Sequence, residues 1–333
     1  MEKVQLFEAL ARDGKLPGMA VKVLQDGATM LEAGFGLADI DSATPVNPAR
    51  TVFRVASISK PIAATALLKL VGEGKIGLDD SLYKYLPAYP PKQFDFTIRQ
   101  LASHTAGIRT YKGKEYALDK PYSIAEGLQV FQDDPLEFEP GKGYLYNSFD
   151  WVLLSRVMEV VSGIPFRDYV SREVLEPLGM VHTCPEIPGH LPEHTATFYT
   201  RNFSGFRKAV PVDNRYKLAG GGYLSTVGDI ARLGEAYRTG QLEYSGLQTE
   251  FLTSDTIDGK PTYYGLGWEV SRDSEGRDFY GHTGNSVGAY SLFRVYPEER
   301  VVVVILVNCT NPGVENHLES GINAIFREIS PLA

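Results

Sequence analysis

The rhythm of apolar and polar positions changes twice along the chain. Residues 2–13 fit a short amphipathic helix that stops near Gly14. Two β-rich stretches follow, 19–24 and 29–36, joined at Asp26-Gly27, a pair suited to a hairpin turn. A third short strand, 51–55, delivers the chain to Ser57. From about 78 to 210 helical patterns alternate with Pro- and Tyr-rich loops such as Tyr85-Leu86-Pro87-Ala88-Tyr89-Pro90-Pro91. Helices are predicted over 97–103, 124–132, 149–161 and 166–175, with Gly163 and Gly179 as stops. Another begins after Gly220-Gly221-Gly222, where Thr226 and Asp229 have capping-box spacing. The last hundred residues turn to strands at 263–270, 278–283, 289–296 and 301–308, then to a helix over 315–329.

Strands near both ends with helices between them predict an α/β fold of the α+β type. Its central antiparallel sheet is built from both termini and flanked by helices, with an inserted, mostly helical lobe. The expected division is 1–77 plus 216–333 for the sheet domain and 78–215 for the lobe, with the active site at their junction.

Composition narrows the function. With 333 residues, 43% hydrophobic and 22% charged, the chain has ample material for a large core. Its net charge of −8 and lack of any Lys/Arg run argue against nucleic acid as a partner. The longest apolar run, 301–307, is too short to span a bilayer. The first eight residues carry charge where a secretory signal would be apolar, so the chain as written reads as cytoplasmic, or as periplasmic or secreted if a leader has been removed. Two cysteines, Cys184 and Cys309, make no disulfide framework. His182, Cys184, His190 and His194 share one loop but match no standard zinc spacing, so no metal and no cofactor are expected. His104 is expected to lock a buried loop by hydrogen bonding, and Gly220-Gly221-Gly222 to form a backbone turn beside the active site.

The candidate chemistry starts at Ser57-Ile58-Ser59-Lys60, which opens the apolar run 61–68. Pro61 suits a first helical turn, so the helix starts close to Ser57 and puts Lys60 one turn away on the same face. A serine hydroxyl needs such a base to become a nucleophile. A second S-x-x-K, Ser81 to Lys84, has no apolar helix behind it. Tyr146, just after Pro140-Gly141 and before the helix near Phe149, can present a phenol as an acid–base partner. His282-Thr283-Gly284-Asn285 ends a predicted strand; Gly284 permits close approach of a substrate, and the Asn285 N–H is a candidate second oxyanion donor beside that of Ser57. Each element alone is ordinary, and 19 tyrosines make any one of them unremarked.

In this order the pieces resemble the serine β-lactamase and penicillin-binding-protein family, with its S-x-x-K, Y-x-N and K-T-G or H-x-G signatures. The matches are Ser57-x-x-Lys60, Tyr146-x-Ser148 and His282-Thr283-Gly284. The likeness runs from about Pro17 to Phe326 and leans toward the class C, S12-peptidase and esterase branch, nearest the LACTB-like serine hydrolases, on stretches 134–141 and 211–222. It implies a serine hydrolase acting through an acyl-enzyme on amide or ester substrates. Ser57, Lys60 and Tyr146 would be catalytic, while Ser148, His282, Thr283, Gly284 and Asn285 would hold substrate or oxyanion. Ser148 would take the part of the family Asn, and His282 would orient substrate or tune Tyr146. A histidine at 282 is mostly neutral where β-lactamases carry lysine. The alternatives are a β-lactamase or D-Ala-D-Ala carboxypeptidase, and a catalytically weak oligomeric scaffold. The implied partner is a small-molecule or peptide substrate; a homo-oligomer stays open.

Overall fold

The computed structural model describes residues 2–244 and 246–329; Met1 lies outside them. A seven-stranded, wholly antiparallel sheet organises the molecule. Its strands are β1 (Gly18–Gln25), β2 (Ala28–Asp39), β3 (Thr44–Pro45), β4 (Glu269–Arg272), β5 (Asp278–Ser286), β6 (Ala289–Tyr296) and β7 (Val301–Val307). Their spatial order is β4-β5-β6-β7-β1-β2-β3, so the N-terminal hairpin and the C-terminal meander meet where Met19 pairs with Val307 and Gln25 with Val301. Both ends of the chain therefore build one sheet, and the fold is the mixed α/β one that the strand pattern predicts.

The unbroken apolar run of β7 follows from cover on both faces. Val301, Val303, Ile305 and Val307 pack with Phe7 and Leu10 of α1 (Glu2–Arg12) and with Leu318, Ile322 and Ile325 of the C-terminal helix. Val302, Val304 and Leu306 turn the other way, into a larger core. That core holds α2 (Ser59–Gly72), α3 (Phe149–Ser162) and α4 (Val227–Arg238); the C-terminal helix is α5 (Glu315–Glu328). Every residue from Ser59 to Leu68 is buried, so α2 is apolar on all sides because it runs through the core rather than over it.

Several elements are shorter than their patterns. The strand predicted over 51–55 is only Phe53–Arg54. The predicted 263–270 strand is limited to β4, because the chain first turns inward at Gly267 (φ +86°), where a Cβ would meet the Trp151 ring at 2.6 Å. The helix predicted over 166–175 runs as an α-helix to Val170 and then widens into a π-turn, Ser171–Leu175. Thr226 caps α4 by accepting from the Asp229 N–H, but the reciprocal half of the box is missing. The Asp229 carboxylate instead accepts from the His182 N–H and the Thr183 hydroxyl and pairs with Arg232. No helix among the described residues is long and apolar enough to cross a membrane.

Candidate active site

Ser57 sits in a single 3₁₀ turn, Ala56–Ile58, immediately before α2. Ala56 adopts φ +49°, a left-handed conformation that costs a residue with a Cβ roughly 1–3 kcal/mol. The kink turns Ser57 out of the buried helix axis while Lys60, the second residue of α2, stays fully buried. Gly284 of β5 passes directly over this turn: a Cβ there would lie 2.9 Å from the Ser57 nitrogen and 2.3 Å from the Ser291 hydroxyl. Only glycine lets the strand edge approach the Ser57 amide so closely.

The Lys60 ammonium nitrogen is 3.2 Å from the Ser57 Oγ, 2.7 Å from the Tyr146 hydroxyl and 2.9 Å from the Gly220 carbonyl. The Tyr146 hydroxyl closes the triangle at 2.8 Å from Ser57 Oγ. Burial pushes the Lys60 pKa down from 10.5 to about 7; the Lys217 charge adds to this, while Asp150 and Glu269 oppose it. A neutral amine is therefore populated at neutral pH, which makes Lys60 able to accept the serine proton. Tyr146 keeps 36% of its surface exposed, but its hydroxyl is enclosed between Lys60 and Ser57. Withdrawal from water holds the phenol well above its usual value of 10, so the hydroxyl keeps its proton at neutral pH.

The loop that carries Tyr146 is held from behind. Asn147 donates to the Ile108 and Leu145 carbonyls and to the Asp150 carboxylate, while its own oxygen accepts from the Asp150 N–H at the start of α3. His104, itself at φ +61°, bonds Asp150 through Nδ1 at 2.7 Å, and its ring stands edge-on to Tyr146 with centroids 4.7 Å apart. Burial keeps this imidazole neutral and raises the Asp150 carboxyl. His104 thus locks the loop from the chain side, as its sequence context suggests.

The substrate and oxyanion candidates divide between two surfaces. Ser148 and Asn285 line, with Ser57, a cleft of about 310 Å³. The Asn285 side chain accepts from the Asn311 N–H and so ties the end of β5 to the following loop. His282 is only 1% exposed and lies behind Tyr146, ring centroids 5.8 Å apart. Its Nδ1 lies 2.6 Å from the Thr283 carbonyl and its Nε2 2.9 Å from the Tyr264 hydroxyl. A carbonyl can only accept, so the proton is on Nδ1 and Nε2 accepts from the tyrosine. Burial and the Lys60 charge push the His282 pKa down to about 3. The buried ring touches the tyrosine cluster rather than the cleft wall, which leaves tuning of Tyr146, not direct contact with substrate, as what its position allows. Thr283 contacts Glu269.

The sequence reading placed Gly220 only in a turn beside the site and passed over Tyr264, Asp150 and Lys217. Gly220 supplies the third acceptor for Lys60, and Lys217 projects into the same cleft as Ser57. The second S-x-x-K is elsewhere: Ser81 bonds Asp95 and Lys84 pairs with Asp80. Among the described residues no group of three or more His, Cys, Asp or Glu side chains is disposed to hold a metal ion.

Residues 4–324 match the model of the Beta-lactamase family, which spans nearly the whole chain. The chain belongs to the Beta-lactamase family. It is a serine hydrolase. The mitochondrial serine beta-lactamase-like protein LACTB of Mus musculus is 29% identical over 389 residues, covering 85% of this chain and 70% of that protein. Among solved structures, a D-stereospecific amidohydrolase from Streptomyces sp. superimposes with a TM-score of 0.82 at 25% identity, over 97% of both chains. The octameric penicillin-binding protein homologue from Pyrococcus abyssi gives 0.85 at 25% identity, over 98% of this chain and 77% of that one. Family membership agrees with the resemblance drawn from the three motifs, and with acyl-enzyme chemistry on amides or esters.

Proposed function

We propose that Ser57 is the nucleophile, Lys60 its base and Tyr146 the proton carrier of this hydrolase. The observation that carries the reading is the Lys60 amine, which lies within hydrogen-bond reach of both the Ser57 and Tyr146 hydroxyls. Ser57 Oγ attacks the substrate carbonyl carbon as its proton passes to neutral Lys60. The oxyanion sits between the Ser57 and Asn285 N–H groups, and collapse expels the leaving amine or alcohol with a proton delivered through Tyr146. Water then attacks the acyl-enzyme, gives its proton to the same pair, and the serine leaves with a proton restored. The lobe assigned to 78–215 brings Tyr146 to the Ser57 turn of the sheet domain assigned to 1–77 and 216–333. Since Ser57, Lys60 and Tyr146 come from one chain, an oligomer such as that of the Pyrococcus homologue would surround complete sites.

Tyr146→Phe keeps the ring packing and removes only the hydroxyl. It should lower kcat on a p-nitrophenyl ester by about a hundredfold, the scale of a lost general acid–base group. Near-normal kcat would remove Tyr146 from the proton path.

The substrate preference follows from His282. In a β-lactam or a C-terminal D-alanine peptide, the carboxylate belongs to the leaving-group half, where family members with lysine offer a fixed cation. Here that position holds an imidazole kept neutral by burial behind Tyr146, with both ring nitrogens already engaged, so it offers a substrate carboxylate neither a charge nor a free donor. Short-chain p-nitrophenyl esters and some peptide amides should therefore be hydrolysed, with nitrocefin the poorest of the three by kcat/KM at one pH. Nitrocefin as the best substrate would overturn this preference.

A further inference from the structure

Lys217 is 7% exposed and borders the same cleft as Ser57. Among the described residues its ammonium has one hydrogen-bond acceptor, the Tyr116 carbonyl at 2.6 Å, and no carboxylate partner. Its remaining contacts are aromatic faces, with Tyr111 and Tyr216 centroids 5.2 and 5.9 Å away. The nearby Arg54 is already neutralised by a two-pronged, buried pair with Glu186. A buried ammonium without an anion is expensive and leaves N–H donors unused. The cleft wall supplies that amine, yet among the described residues no carboxylate is in hydrogen-bond or ion-pair contact with it.

The position of Lys217 says which half of a substrate it meets. The leaving group must lie on the Tyr146 side of Ser57 to receive its proton. Neither Tyr146 nor His282 is part of the cleft wall, whereas Ser148, Lys217, Gly221 and Asn285 are. That lining favours the acyl half of a substrate, opposite the leaving group, as the occupant of the cleft.

We propose that Lys217 is the specificity-determining residue of this cleft and binds a carboxylate on the acyl group of the substrate, so that acidic acyl donors are preferred over their neutral isosteres. The assignment of the acyl half rests on Ser57 as the nucleophile. Burial, with some help from Arg54 and against Glu186, lowers the Lys217 pKa to about 8. That still leaves the protonated ammonium as the main form at pH 7.

The test compares N-acetyl-glutamyl and N-acetyl-glutaminyl p-nitroanilides, in L and D series, whose side chains are near-isosteric and differ in charge. The glutamyl substrate should have the higher kcat/KM by about tenfold in at least one series, the scale of one charge-assisted hydrogen bond. Lys217→Gln should bring that ratio to within about twofold of unity, and Lys217→Arg should keep its direction. Lys75→Gln, in the exposed turn just past α2 and beside Glu73, is the charge-loss control and should leave the ratio alone. A ratio near one in the unmodified chain in both series overturns the proposal without needing any variant to fold. So does a ratio unchanged in folded Lys217→Gln. Calorimetric binding of the same pair to Ser57→Ala separates the two readings, because it needs no turnover. A tighter glutamyl ligand there, lost on adding Lys217→Gln, supports Lys217 even if Ser57 proves not to be the nucleophile; equal affinities count against it.

Discussion

Lys60→Ala should lower kcat/KM on a p-nitrophenyl ester by between a hundred- and ten-thousandfold, and it should abolish the rising limb of the pH profile near 7. Both effects have one cause. Full burial pushes the Lys60 pKa down from 10.5 to about 7, and only the neutral amine can take the Ser57 proton. In the unmodified enzyme kcat/KM therefore rises with pH through about 7 and levels off once Lys60 is deprotonated. A histidine would be the usual suspect for such a limb, but neither site imidazole titrates there. His282 is held near 3 and His104 well below 6.5, each by burial first. The side chain sits in a cavity shaped for it, so loss of the fold must be excluded by circular dichroism of the variant. A Lys60→Ala protein that is folded and retains the limb would move the base elsewhere.

The fold was legible wherever burial imposes a period on the sequence. The run Val301–Val307 is apolar at every position because the two core clusters take alternate residues of it, and α3 matches its pattern to within one residue. The three motifs were readable because each puts unlike chemical groups at fixed spacing beside a helix start or a strand end. Lys217 offered no such spacing. It stands in Asn214-Arg215-Tyr216-Lys217-Leu218, a polar-looking stretch, and becomes buried only because Tyr111 and Tyr116 fold across it from a hundred residues away. Tyr264 and Asp150 were hidden for the same reason: their partners, His282 and His104, are distant in the chain. The missing half of the capping box at Asp229 has a related cause, since its carboxylate serves the 182–183 backbone and hydroxyl instead of its own helix.

On the proposed mechanism Ser57→Ala should reduce turnover more than any other single change, on the order of ten-thousandfold or beyond, because it removes the attacking oxygen and leaves Lys60 and Tyr146 idle. Residual hydrolysis would come only from the oxyanion site and binding. The left-handed turn at Ala56 and the close pass of Gly284 over the Ser57 amide mark this serine, and not Ser59, as the presented one. Ser59 is fully buried, and its hydroxyl already accepts from the Tyr223 N–H. The direct measurement is to label the protein with a fluorophosphonate, digest it with trypsin and sequence the modified peptide by fragmentation. Cleavage after Arg54 and, because Pro61 protects Lys60, next after Lys69 gives the peptide 55–69, which contains Ser57, Ser59 and Thr65. The probe mass should fall on Ser57 alone and be absent from Ser57→Ala; mass on Ser59 or Ser81, or undiminished labelling of Ser57→Ala, would contradict the assignment.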